Sequence, residues 1–400
     1  MTQTTFATTI AGKPVQDVHS LVAHHLLVVG QTGSGKTTST LSLLDQLQRT
    51  NYTTIIFDPT GEYSKLPNSV TYKLGENAYL EAGQLSAHQL REALQISGSP
   101  LLNDKLSQAV DALRIQQNLV RIRKPYVKIG VPIADYQKQL AKLSNWSRSF
   151  APQQLAEQLI EEFVIPYSDE RANYALLGQQ YDRQTINHEW NTIATIRQRL
   201  ASDAFRVLFD PEPHPGIFKT ELNFVIKMFL EHRSSHRTLV IDLSKLKQYE
   251  ESQRVVISLL LKNLLAARLQ KPNSFPVNIV LDEAHRYLPR DEHQLADNGI
   301  FQVLREGRKV GLSMTLTTQS PLDLPARLRS QFANLLLHHL TSPEELSSLA
   351  IADEIDLHEI SQLSTGEAVL SLANEPQRKI NVNLPKWWEN NHDRNEENEN

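Results

Sequence analysis

Six short runs rich in leucine and β-branched residues punctuate the chain: LLVV (26–29), TTIIF (53–57), RTLVIDL (237–243), VNIVL (277–281), LSMTLTT (312–318) and NLLLHHL (334–340). Helical patterns lie between several of them, such as LSLLDQLQ after the first and SQRVVISLLLKNLLAARLQ before the fourth. Apolar strands alternating with helices predict an α/β fold, a mostly parallel sheet flanked by helices on both faces. Residues 85–200 follow another rhythm. LREAL, LLNDKLSQAVDALRI, APQQLAEQLIEEF and RANYALLGQQYDRQTINHEWNTIATIRQRL repeat apolar residues at three- and four-residue spacing, and no convincing strand stands among them. Pro152 suits the first turn of its helix. The expected organisation is a first part of the core over 1–84, a helical insertion over 85–200, the second part of the core over 201–386, and a tail over 387–400. INVNLPKWW predicts a C-terminal strand or arm ahead of that tail.

Composition changes this picture in three places. The chain has no cysteine, which removes disulfides, zinc–thiolate sites and thiol nucleophiles. Its N-terminal stretch lacks the charged and apolar regions of a signal peptide. Even the most apolar helix candidate, VVISLLLKNLLAARL, carries Lys262 and Arg268, so no membrane span is expected and a cytoplasmic protein is. The net charge is −4, yet the last twelve residues hold five acids and one arginine. The remainder is therefore neutral and free to carry a local basic face, while the tail has almost nothing to bury and is expected to be disordered.

HHLLVVGQTGSGKTTSTLSLLDQLQ places Gly30, Gly35, Lys36 and Thr37 in the G-x-x-x-x-G-K-T spacing, after an apolar strand and before a helical pattern. That context marks a phosphate cradle. Glycines let the backbone wrap so that N–H groups and a helix N-terminus face the phosphates. The nucleotide-binding candidates are Gly30, Gln31, Thr32, Gly33, Ser34, Gly35, Lys36, Thr37 and Thr38. Lys36 is expected to reach the terminal phosphates and the Thr37 hydroxyl to bind Mg²⁺.

The second acidic motif is VLDEAHRYLP (280–289). Asp282 at the strand end is expected to hold Mg²⁺ through water, and Glu283 to orient and polarise the attacking water. The letters DEAH also name a helicase class, but that class sets its two motifs close together in one compact domain. Here a helical insertion and a further strand separate Lys36 from Asp282, no S-A-T follows, and no Q-R-x-G-R-x-G-R segment exists. An LSGGQ-like segment ahead of VLDEA is missing too, which sets aside an ABC-type ATPase; LSTGE (363–367) lies on the wrong side.

The ordered set completed by IIFDPTGEYS (55–64), LVIDLSKL (239–246), LREGRKVGLSMTLTTQSPLDLPARLRSQFANLLLHHL (304–340) and STGEAVLSL (364–372) resembles the HerA branch of the HerA/FtsK superfamily of hexameric DNA-pumping ATPases. The resemblance implies a RecA-like P-loop NTPase core that assembles as a ring, with ATP and Mg²⁺ held between subunits and double-stranded DNA threaded through the centre. By position, Gln319 matches the polar sensor of that family and Arg308 the arginine supplied to a neighbouring subunit. Such an arginine raises phosphoryl-transfer rates by roughly 10³–10⁵. The local alternative is that Arg305, Arg308 and Lys309 simply favour a helix C-terminus; Arg305, Arg327 and Arg329 are the other candidates for the finger. Asp58 and Glu62 sit beyond the second strand on the edge of the sheet where ligands gather, although Asp58-Pro59 and Gly61 also make a turn by themselves.

Relatives of this branch begin with a β-barrel that helps form the ring and docks a nuclease; a phosphate loop starting at residue 30 implies a short form without one. The expected partners are further copies of the chain in a ring, duplex DNA and a nuclease or other effector, in DNA processing or phage defence. For DNA contact the best basic segment is 112–134, with Arg114, Arg121, Arg123, Lys124 and Lys128 and no acid, of which Arg121, Arg123 and Lys124 are the candidates. A solvated helix face or a subunit contact is the other reading of that segment. His285, His338 and His339 are expected to be packed or hydrogen-bonded, with no metal beyond Mg²⁺, and Trp387-Trp388 to anchor the C-terminal arm. The leading functional expectation is a ring-shaped ATP-driven translocase or helicase on double-stranded DNA. An ATP-dependent scaffold or switch that pumps no DNA, and a conjugation- or packaging-type ATPase, are the alternatives.

Overall fold

The computed structural model describes residues 5–388 apart from 16, 51, 145–146, 148, 210–217, 233–236, 273–274, 290–291, 350–356, 374 and 386. Its strands in chain order are β1 (Ala7–Thr9), β2 (Pro14–Val15), β3 (Leu26–Val29), β4 (Thr53–Asp58), β5 (Ser69–Lys73), β6 (Ala78–Tyr79), β7 (Val164–Ile165), β8 (Gln180–Tyr181), β9 (Thr220–Glu221), β10 (Thr238–Asp242), β11 (Val277–Leu281), β12 (Leu312–Thr318), β13 (Asn334–Leu337), β14 (Glu367–Ser371) and β15 (Arg378–Val382). Eleven of them form one sheet in the order β2-β1-β15-β14-β13-β3-β12-β11-β4-β10-β5.

From β13 to β5 every neighbouring pair is parallel. Every residue of β3, β4, β10, β11 and β12 is buried, which is why these strands read as continuous apolar runs: crossover helices cover both faces of a parallel sheet. All six strands expected from the sequence are present, within a residue or two at the ends for five of them; the sixth, β13, stops at Leu337 rather than Leu340. Beyond β13 the pairing turns antiparallel, through β14, β15, β1 and β2. β15 realises the C-terminal strand, and its register sets Ala7 opposite Val382. Trp387 and Trp388 pack on a core cluster that includes Leu41, Leu44, Ile56 and Tyr63. Trp387 Nε1 also donates to Asp45 Oδ1 at 3.2 Å. The pair expected at the head of the tail is thus part of the core, and residues 389–400 lie outside the described residues.

The chain divides into two compact units, one made of Met1–Lys73 with Leu222–Asn400, the other of Leu74–Glu221. The second unit is wider than the 85–200 expected for the insertion. It takes in the helix Asp203–Phe209 and is not free of strands: β6 pairs with β9 in parallel and β7 with β8 antiparallel. Two-residue strands are too short to print a period-2 pattern in a sequence. Inside this unit the helices Pro100–Ile115, Leu155–Glu161 and Arg183–Leu200 bury an apolar stripe that includes Leu106, Val110, Leu159, Ile193 and Ile196. Lys128 and Glu162 form a buried ion pair within it. Lys128 Nζ also stands 4.4 Å from the Tyr136 ring centre, and Gln158 Nε2 donates to Glu162 Oε1 at 2.9 Å.

Candidate nucleotide site

β3 delivers the chain at its carboxyl end into Gly30, and the loop then climbs into the helix Lys36–Gln48. Two of its residues need glycine: Gly33 at φ +82° and Gly35 at φ +108° lie in the left-handed region. Gly30 needs it for space, because a Cβ there would come within 2.5 Å of both His338 Cβ and Ser34 Oγ. No side chain caps the helix at Gly35, so its first amides keep the unpaired donors typical of a helix N-terminus. The Ser34 hydroxyl is buried without a partner. Lys36 is itself buried and donates to the carbonyls of Gly30 at 2.6 Å and Gln31 at 3.2 Å. Burial lowers its pKa, opposed by the charges of Glu283 and Asp282. A left-handed glycine loop, open helix amides and a folded-in lysine fit the phosphates of a nucleotide.

The acidic pair stands at the carboxyl end of β11, two strands away from β3 across β12. Asp282 is fixed on both oxygens. The Thr317 hydroxyl and the Glu283 amide (3.1 Å) donate to Oδ1, and the Tyr63 hydroxyl donates to Oδ2 at 3.3 Å. Glu283 takes the left-handed conformation, φ +48°, which L side chains adopt only when surroundings impose it. What imposes it is visible: its amide also donates to Thr317 Oγ1 at 3.0 Å, turning the carboxylate back toward β12. There Gln319 Nε2 donates to Glu283 Oε1 at 3.1 Å, and the Thr32 hydroxyl donates to Gln319 Oε1 at 3.1 Å. A carboxylate only accepts, so the amide nitrogen must face Glu283 and the amide oxygen Thr32. Thr32 of the phosphate loop, Gln319 and Glu283 form one hydrogen-bonded chain. His285 completes the surroundings, with Nδ1 3.4 Å from Glu283 Oε2 and 3.3 Å from Thr318 Oγ1.

No group of three or more His, Cys, Asp or Glu side chains able to hold a metal occurs among the described residues. A cage made wholly of protein is therefore not what the site offers. Thr37, in the first turn of the helix, and Asp282 would supply a sparse oxygen set of the kind Mg²⁺ takes when phosphates and waters complete its shell.

The other sequence candidates fall into place differently. Asp58 is fully buried, and its carboxylate is spent on its own loop: Oδ1 accepts the amides of Gly61 (2.8 Å), Glu62 (3.2 Å) and Thr60 (3.3 Å), and Oδ2 that of Tyr63 (2.9 Å). Burial nevertheless holds its pKa above the usual range. Asp58 thus holds the backbone of Tyr63, whose hydroxyl reaches Asp282. Glu62 remains exposed beside it, its pKa raised by partial desolvation and by the carboxylates of Asp282, Asp58 and Glu283. Arg308 is exposed on the turn Gly307–Val310, immediately before β12, whereas Gln319 immediately follows that strand. Seven strand residues span about 23 Å, so Arg308 faces away from the phosphate loop of its own chain. Arg305 and Arg327 each lie 5.7 Å from the Phe301 ring centre, and Arg329 is tied to the carbonyls of Pro321 and Leu324.

Of the basic segment, Lys128 turns inward to Glu162, and Arg114 donates to the carbonyls of Gly83 and Leu85. Arg121, Arg123 and Lys124 are exposed. Sequence reasoning missed Tyr63 and Thr317 as partners of Asp282. FDPTGEY and MTLTTQ carried both in view, but only the register of β4, β11 and β12 shows that they converge.

Fold and site together define a P-loop ATPase core. The sequence profile described as Helicase HerA, central domain, matches residues 15–264, and the chain belongs to that family. A probable helicase of Methanocaldococcus jannaschii is 23% identical, with 88% of this chain and 61% of the relative covered. The DNA double-strand break repair helicase HerA of Saccharolobus solfataricus is 22% identical over 87% of this chain and 61% of its own length. The chain thus spans about three-fifths of these two curated relatives. Among solved structures, VirB4 of Thermoanaerobacter pseudethanolicus superposes with a TM-score of 0.61 at 14% identity, covering 96% of each chain. The plasmid coupling protein TrwB in complex with ADP and Mg²⁺ superposes with a TM-score of 0.58 at 15% identity, covering 96% of this chain and 91% of TrwB. Likeness at these identities establishes the fold.

Proposed function

We propose that this protein is an ATP hydrolase that works on double-stranded DNA as a translocase or helicase, in a ring of copies of this chain and with a nuclease or other effector as partner. The observation that carries the reading is the chain Thr32–Gln319–Glu283, because it ties the phosphate loop to the base that would activate water. In this reading the loop amides and Lys36 hold the phosphates, and Thr37 and Asp282 would hold Mg²⁺, which would supply neutralisation of phosphate charge. Glu283 accepts the proton of the attacking water, and Gln319 orients the Glu283 carboxylate and transmits the state of the loop to it. Membership of the helicase family and the DNA-repair names of relatives support DNA as the substrate.

The test is steady-state ATP hydrolysis with and without linear duplex DNA over a salt series, with Glu283→Gln as the blank. Stimulation that falls steeply with salt and vanishes in the blank is the expected result. Turnover in the wild type that ignores DNA at every salt would overturn the motor and leave an ATP-dependent switch or scaffold. One observation favours that second reading: of the five basic side chains of the segment, only Arg121, Arg123 and Lys124 are exposed.

A further inference from the structure

The motif STGE was legible in the sequence without a role, and neither the base nor the metal site uses it. In the fold, Ser364–Glu367 leads into β14 and lies against the outer side of the phosphate loop. The Thr365 hydroxyl donates to the carbonyl of Gly33 at 3.2 Å, and the Gly366 amide donates to that of Ser34 at 3.3 Å. The approach is so close that a Cβ on Gly35 would meet the Gly366 nitrogen at 3.0 Å and its Cα at 3.3 Å. Gly366 itself turns at φ +87°.

A second contact ties the same turn to the helix. His338, fully buried after β13, has Nδ1 2.9 Å from the carbonyl of Glu367 and Nε2 2.9 Å from the Ser39 hydroxyl. A carbonyl only accepts, so Nδ1 carries the proton and Nε2 accepts from Ser39, one turn into the helix of the phosphate loop. The turn is stiff in its own right: Glu367 accepts the Ser364 amide at 2.9 Å and pairs with Lys379 at 3.4 Å, and Val382 donates its amide to Gly366 at 2.9 Å.

We propose that the Ser364–Glu367 turn is a positioning element of the nucleotide site, which sets nucleotide affinity by holding the outward carbonyls of Gly33 and Ser34. In a trans peptide the C=O and the following N–H point in opposite directions. Fixing the carbonyl of Ser34 on the outside therefore turns the amide of Gly35 toward the inside of the cradle before any ligand arrives, while the bond to the Gly33 carbonyl steadies the peptide whose Ser34 amide closes the loop on the Gln31 carbonyl at 3.2 Å. The free-energy cost of ordering the loop is then met in folding rather than in binding. The proposal rests on the nucleotide reading above.

The test uses the full chain with Thr365→Val, which keeps shape and removes the donor, Thr365→Ser, which restores it, and Gly366→Ala, which strains the turn. Dissociation constants for Mg-ADP are measured together with KM and kcat for ATP. The loss of one neutral hydrogen bond corresponds to about three- to tenfold. The expected result is a KM and an ADP dissociation constant raised by about that factor in Thr365→Val, more in Gly366→Ala, with kcat within about twofold of the wild type and recovery in Thr365→Ser. Thr365 is exposed, so Thr365→Val keeps its fold, checked by an unchanged melting temperature. Wild-type affinity in both Thr365→Val and Gly366→Ala would overturn the positioning role alone. A wild type that binds no Mg-ADP would overturn the nucleotide reading, and the turn's role with it.

Discussion

His338 illustrates how much one side chain can be asked to do. Burial pushes its pKa down to about 4, helped by the charge of Lys36 and opposed by the bond to Glu367. His25, buried before β3, is pushed down to about 4 as well, by burial first and then by Arg308 and His24. A histidine whose folded pKa lies below its unfolded value contributes stability that is full above about pH 6.5. That contribution drains away as the pH falls toward the folded pKa near 4. For His338 the whole contribution is of order 3 kcal/mol. The melting temperature of the wild type should therefore fall between pH 6.5 and 5, and a series on His338→Gln should be flatter over the same window; parallel curves would mean that another group carries the acid sensitivity. At this scale the sequence was legible wherever placement follows from spacing, as for Gly30, Lys36 and Thr37 in the loop and its helix and for Asp282 and Glu283 at the end of β11. It was illegible where a role depends on a partner from a distant segment. Thr317 bonds Asp282 from another strand, which does not follow from residue type, whereas the turn that Asp58-Pro59 and Gly61 suggested is present, with both Asp58 oxygens accepting amides of its own loop.

Among the elements, the parallel strands could be read directly because burial on both faces leaves them uniformly apolar. The antiparallel part could not. β1 and β2 have three and two residues, and β14 was visible only as the end of a motif. The unit Leu74–Glu221 was legible as helical, and its bounds were not, since its closing pair β6–β9 is two residues long. Its basic segment also misled as a count of charges. Lys128 belongs to the interior, where its partner Glu162 has no exposed side-chain surface. Removing one member of such a pair leaves a buried charge without compensation, a loss of about 3–5 kcal/mol, whereas replacing both by apolar residues is far milder. In urea unfolding, Lys128→Met should be destabilised by that amount and Lys128→Met/Glu162→Met by clearly less. Equal losses in the two would show that the ion pair is not coupled as drawn. The contribution of Arg121, Arg123 and Lys124 to DNA binding is a separate matter, read from the salt dependence of binding after their replacement.

For the whole molecule, the position of Arg308 has the widest reach. The phosphate loop follows β3 and Arg308 precedes its parallel neighbour β12, so the length of the strands, about 23 Å, separates them within one chain. If the arginine serves hydrolysis, it serves the site of another copy. Arg308→Ala should then lose turnover by about 10³-fold or more while keeping nucleotide affinity. Lys36→Ala should be inactive through its own site. Mixed in equal amounts, the two inactive variants should regain partial activity, because a Lys36→Ala subunit can still present Arg308 to a neighbour. A silent mixture, or near-normal turnover in Arg308→Ala alone, would move the finger elsewhere. The pairing of β1 with β15 bears on a different question, the order of events during synthesis. β3 and the phosphate loop leave the ribosome some three hundred residues ahead of β13, β14 and β15, which bring His338, Thr365 and Gly366. Contacts of such sequence separation form late and slowly. A nascent chain holds its nucleotide motif long before it holds the strands that shape it, so the contacts that brace the phosphate loop from outside form only after β14 and β15 have been made.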